Sequence, residues 1–159
     1  MTPMRYILPF LAVLTAAPAF AQTSPAPADN MQVLRQQLMG EKKKVVAENM
    51  ELTEAEATGF WPLYEAYQKE LNKINDRAAT LIVSFANEYK ARTLTDAKAR
   101  QLLDQYLAIE AAETDLKKSF LPRLDKVLPG RKVARYIQIE NKVRALVHYE
   151  IAAEVPLAN

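Results

Sequence analysis

His148 is the only histidine in a 159-residue chain that has no cysteine. Donors for a borderline transition metal therefore reduce to one imidazole, the thioethers of Met31, Met39 and Met50, and carboxylates such as Glu150 and Glu154. His148 and Glu154 are spaced too far apart to share a helix face as an i, i+4 pair does. The methionines suit the filling of core gaps better than a copper site. Groups for catalysis are as sparse. There is no thiol nucleophile and no Ser-His-Asp order, and with three glycines in all there is no phosphate-cradling loop. The sequence predicts no catalytic residue, no metal and no cofactor, and hence not an enzyme.

The side chains that remain able to act do so through surface charge and apolar contact. At 100° per residue, Val133, Tyr136, Ile137, Val143, Val147 and Ile151 fall in one arc of the last helical segment, with Ile139 and Leu146 at its margin. Arg131, Arg135, Gln138, Lys142 and Tyr149 line the opposite side, giving a buried face and a basic, partly aromatic outer face. Basic residues dominate from Lys117 to Arg144, and acids dominate from Glu48 to Asp76. The two stretches can attract each other within a hairpin or dimer. Alternatively, the basic face can draw acidic or unfolded chains by long-range charge and hold them by apolar contact. Trp61, the single tryptophan, lies between Phe60 and Pro62. It reads either as a packing anchor at a helix junction or as a residue that grips a partner. The net charge of +2 speaks against a polyanion ligand, so nucleic acid is not an expected partner.

The elements that must position these residues are helical. Arg5 supplies a positive n-region, residues 7–17 an apolar run too short to span a bilayer, and Ala19-Phe20-Ala21 small residues at −3 and −1. Residues 1–21 are thus predicted to be a signal peptide cleaved before Gln22, with export to a periplasm. With no cysteine, the export signal cannot be of the lipobox type. Later segments lack the apolar length of a membrane span. Residues 22–30 read as a disordered leader, residues 31–155 as one all-helical domain, and residues 156–159 as a tail.

From Met31 apolar residues recur at three- and four-residue steps, with Gly40 a possible break in the first helix. Glu41-Lys42-Lys43-Lys44 reads as a solvated turn. A second helix is predicted from Thr53 to about Lys90, a third from Thr95, and a fourth from Pro129-Gly130 to about Glu154. Thr53 and Thr95 read as N-caps. Thr53 has Glu56 three residues on to complete a capping box, whereas Thr95 has Lys98 there. Pro62 and Pro122 fall inside helical patterns and should bend or break them, the first aided by Thr58-Gly59. An unbroken second helix would be about 57 Å long, too long to bury its stripe in a compact domain of this size. The expected architecture is all-α: four helices in an elongated, bent hairpin that pairs as an antiparallel, cradle-like homodimer.

Together, the signal peptide, the all-helical pattern, the lack of cysteine and the two Leu-Thr helix starts resemble the Spy/CpxP family of periplasmic proteins. That family carries repeated Leu-Thr-x-x-Gln motifs. Leu52-Thr53 and Leu94-Thr95 match them, with Glu56 and Lys98 in place of the glutamines. Val127-Leu128-Pro129-Gly130-Arg131 occupies the place of a further motif. The resemblance spans Met31 to about Ile151. It implies a long helical hairpin dimerised into a shallow curved cradle that works in envelope stress. The family's roles are ATP-independent chaperoning of unfolded proteins, inhibition of a sensor kinase as a dedicated adaptor, and metal-linked sensing. Carried over by position, client or partner binding would fall to Arg131, Arg135, Lys142 and Tyr149, with Trp61 as a possible grip. Metal-responsive relatives place histidines near their N-terminal regions, and this chain has none there.

Overall fold

A computed structural model describes residues 41–158. The chain divides into two units, residues 1–36 and 37–159, and the described residues all belong to the second. The predicted signal peptide, leader and opening of the first helix lie outside the described residues.

Four helices account for the described chain: α1 over residues 41–50, α2 over Glu54–Ala91, α3 over Asp96–Leu124 and α4 over Gly130–Glu154. The described residues contain no strand. Local chemistry sets the boundaries. At Thr53 the hydroxyl accepts from the Glu56 N–H at 3.3 Å, and the Glu56 carboxylate accepts from the Thr53 N–H at 2.8 Å, a complete capping box. At Thr95 the hydroxyl accepts from the Lys98 N–H at 3.2 Å, and Lys98 has no acceptor with which to reciprocate. Helix α2 ends at Arg92 in the left-handed region (φ 57°), which lets the Thr93 N–H donate back to the Glu88 carbonyl at 3.0 Å.

Neither proline breaks its helix. Pro62 lies inside α2, which continues for 38 residues. The missing N–H removes one rung of the ladder, while Thr58 donates its hydroxyl to the Glu54 carbonyl at 2.9 Å within the same turns. Pro122 falls in the last turn of α3, where its missing N–H removes one rung just before the helix ends. Gly59, expected to assist a kink, has a packing role. A Cβ there would stand 2.9 Å from Val127 Cγ1, so the glycine lets the α3–α4 connection approach the α2 backbone.

Side-chain contacts define the topology. Gly59 faces Val127 and Tyr67 packs edge-to-face on Phe120 with centroids 5.3 Å apart, so α2 and α3 run antiparallel. Helix α4 returns parallel to α2: Lys132 meets Glu56, Tyr136 packs on Phe60, Gln68 meets Glu140 and Asn75 meets Arg144. Helix α1 lies on both through Lys42 and Lys43, and its Val46 and Met50 are fully buried. The core therefore gathers at one end of the hairpin. It includes Phe60, Tyr64, Tyr67, Phe120, Leu124, Val133 and Tyr136, with several rings in edge-to-face contact. Toward the α2–α3 turn the cover thins. Leu102 and Ile109 are buried between the helices, but Val83, Leu103, Tyr106 and Leu107 face outward.

Candidate functional site

The outer face of α4 carries four of the five residues singled out for binding. Arg131, Arg135, Lys142 and Tyr149 recur at helical spacing on one side of the helix, and all four are exposed. Arg135 is partly committed, pairing with Glu51 at 3.3 Å and donating to the Asn49 carbonyl at 3.4 Å. Among the described residues Arg131 and Lys142 have no ion-pair partner. Between the end of α1 and this face runs a groove of about 260 Å³, lined by Glu48, Asn49, Glu51, Arg135, Gln138 and Lys142. Further along, the same face turns apolar, with Leu146 69% and Tyr149 72% exposed. Helical periodicity assigns Leu146 and Ile151 to the buried arc or its margin. Both are exposed, because the other helices cover α4 mainly over its first half, and Ile139 takes the buried place instead.

Trp61 does not join this surface. It lies on α2, edge-to-face with Phe60 at 5.1 Å and Tyr64 at 5.4 Å, and the Lys43 ammonium sits 5.3 Å from its ring. Its ring is thereby committed to fastening α1 onto α2. On the neighbouring side of α2 a groove of about 620 Å³ is lined by Tyr64 and by polar and charged residues, among them Lys43, Glu65, Gln68, Asn72 and Asp76.

The charge asymmetry of the sequence is largely consumed inside the fold. Lys132 bridges the Glu56 carboxylate at 2.6 Å and the Glu51 carbonyl at 2.7 Å, tying the basic stretch to the acidic one. Those contacts, Lys132 first and then the Thr53 N–H, hold the Glu56 carboxyl below the usual carboxylate range. Deeper in, a polar network that sequence patterning missed joins three helices. Lys42 donates to Glu140 at 2.6 Å and to Gln68 at 2.9 Å, and Gln68 donates to Glu140 at 2.8 Å. Burial, reinforced by the Glu140 charge, pushes the phenols of Tyr64, Tyr67 and Tyr136 up and keeps them neutral. A signal was available: Glu140 shares the helix face of Val133 and Tyr136.

A second cluster lies between α3 and α4. Glu113, a buried residue, pairs with Lys117 at 3.0 Å and with Arg144, which also donates to Asn75 at 2.7 Å. His148 approaches Glu113 and Glu110 across the interface, so that one ligand atom from each lies within 4.8 Å of the others. Proximity along the chain offers Glu150 and Glu154 as companions for the imidazole. The acids that accompany it come from the neighbouring helix instead, which spacing along α4 could not show.

The chain matches no protein-family model, no curated protein and no solved structure.

Proposed function

We propose that this protein is an exported, ATP-independent chaperone-like factor of the Spy/CpxP type that works as a homodimer in the periplasm and holds unfolded or partner proteins on the outer face of α4. The observation that carries the reading is the composition of that face. Arg131 and Lys142, which have no ion-pair partner among the described residues, lead into exposed Leu146 and Tyr149 along one helix. Positive charge accelerates the encounter with acidic or unfolded chains, and the adjoining apolar side chains supply contact that needs no pocket. The exposed Leu103, Tyr106 and Leu107 on α3 offer a second apolar stripe, suited to pairing with another copy. A dedicated adaptor for one envelope partner is the second reading, favoured by the groove of about 260 Å³ beside Arg135, which is a more defined feature than a general holding surface requires.

Dilution of a chemically unfolded client into the purified protein, followed by light scattering without nucleotide, tests the first reading. Suppression of aggregation at near-stoichiometric ratio, weakened in the variant carrying Arg131→Ser, Arg135→Ser and Lys142→Ser, is the expected result. No suppression by a well-folded protein, together with one saturable partner in a periplasmic pull-down, would favour the adaptor. Unchanged activity in the triple variant would remove the surface assignment.

A further inference from the structure

We infer that Glu110, Glu113 and His148 form a binding site for one divalent cation of the zinc class in the seam between α3 and α4. The proposal does not depend on whether α4 holds clients. Glu110 and Glu113 are an i, i+3 pair and so share one face of α3. On α4, His148 lies one turn beyond Arg144, whose guanidinium reaches Glu113, so the antiparallel register brings the imidazole opposite the two carboxylates. Their ligand atoms lie within 4.8 Å of one another. Zinc bonds of about 2.0–2.2 Å place tetrahedral ligands about 3.4 Å apart, so small side-chain rotations close the set and leave a fourth position for water.

The donor set selects the metal. One imidazole and two carboxylates suit Zn²⁺, Co²⁺ or Ni²⁺, whereas Mg²⁺ and Ca²⁺ prefer oxygen alone and Cu⁺ prefers sulfur. A second observation points to the same place. Among the described residues the Tyr67 hydroxyl has no hydrogen-bond partner although the residue is only 1% exposed, and the charges that act on it are Glu140 first, then Glu113 and Arg144. Native interiors seldom leave such groups unpaired unless a water or ion belongs beside them.

Two cations already pair with Glu113, one on each carboxylate oxygen, and they are not equivalent. Arg144 is anchored by Asn75 as well, whereas Lys117 is the more exposed of the two and can release into solvent. Metal binding therefore displaces Lys117, and this gives the proposal a signature that a purely structural ion-pair network lacks: removing a native salt bridge strengthens a ligand.

The test uses tag-free protein, because His148 is the only histidine and its ring protons are unique NMR reporters. Titration with ZnCl₂, followed by calorimetry and by the imidazole resonances, should show one ion per chain and a saturable shift, with MgCl₂ inert. Glu110→Gln and His148→Ala should each weaken binding about tenfold or more, and Lys117→Met should tighten it severalfold, with far-UV circular dichroism confirming the fold. No movement of the imidazole resonances in a large excess of Zn²⁺ would overturn the site. So would a shift that is indifferent to both Glu110→Gln and Lys117→Met, since it would report a lone surface imidazole.

Discussion

Lys42→Met isolates the energetics of the polar network that joins α1, α2 and α4. The methionine keeps most of the apolar stem and removes the charge. In the native protein the Lys42 ammonium donates to Glu140 at 2.6 Å and to Gln68 at 2.9 Å, and the Glu140 side chain is only 2% exposed. After the substitution the carboxylate keeps the Gln68 donor at 2.8 Å but has no compensating charge. Breaking a buried ion pair by deleting one partner costs about 3–5 kcal/mol, a large part of a total stability of about 5–15 kcal/mol. With a urea slope of about 2 kcal/mol/M, the midpoint should fall by about 1.5–2.5 M. Lys73→Met is the control. Its exposed pairing with Glu70 predicts a change of at most about 0.5 kcal/mol. Adding Glu140→Gln to Lys42→Met removes the stranded charge while keeping an acceptor for Gln68, so the double variant should be more stable than the single. Urea titration followed by circular dichroism and by Trp61 fluorescence reads all three. A loss below about 1 kcal/mol for Lys42→Met, or a double variant less stable than the single, would refute the account of Glu140 as a charge that depends on Lys42.

Gly59→Ala places a methyl 2.9 Å from Val127 Cγ1. Overpacking of about 1–3 kcal/mol should outweigh the helix-propensity gain of up to about 1 kcal/mol, and the penalty should vanish in a Val127→Ala background, as thermal melts of the four-member cycle would show. Thr53→Ala breaks a reciprocal cap and should cost about 1–2 kcal/mol, more than Thr95→Ala, where only one of the two bonds exists; chemical denaturation ranks them. Lys132 and the Thr53 N–H depress the Glu56 carboxyl, so its contribution to stability is present above the unfolded carboxylate pKa of about 4.3 and is lost as pH falls through the lower folded value. Glu56→Gln should accordingly flatten the acid arm of a plot of stability against pH, and an unaltered acid arm would contradict the assignment.

The elements were legible because their signals are local. Thr53 and Thr95 mark helix starts by their own hydrogen bonds, and the apolar rhythm of Phe60, Tyr64, Tyr67, Leu71 and Ile74 marks one buried face of α2. Pro62 left a bend or a break open in the sequence; the helix continues through it because the cost of one missing rung is set against packing on both sides, and the apolar seam continues past the proline. Leu103, Tyr106 and Leu107 match helical periodicity as well as Leu102 and Ile109 do. Periodicity finds apolar positions, but it cannot tell a face covered within the chain from one left open. Glu113 and Glu140 look like solvent charges in an apolar-periodicity reading, although each interrupts an apolar seam: Glu113 lies between Ile109 and Phe120, and Glu140 follows Val133 and Tyr136. An acid at such a register position predicts a buried partner from another helix, and Arg144 and Lys42 are those partners.

These buried charges also explain why little of the basic stretch is left without an ion-pair partner on the outer face of α4. The excess of bases after Lys117 left two readings open, mutual attraction with the acidic stretch or a basic face free to bind. Lys132 and Arg135 pair with Glu56 and Glu51 of the acidic stretch, and Lys117 and Arg144 pair with Glu113 of α3. Among the described residues a narrower feature remains: Arg131 and Lys142 along one edge, then the bare side chains of Leu146 and Tyr149. Two unpaired cations give steering that salt should suppress over a Debye length of about 10 Å at 0.1 M, while the apolar end should be indifferent to salt. On the proposed function, raising ionic strength therefore slows capture of a client without abolishing its retention. Stopped-flow binding of a labelled unfolded client should show the association rate falling with salt and the dissociation rate nearly unchanged. Equal sensitivity of both rates would mean that charge, and not Leu146 and Tyr149, holds what the face binds.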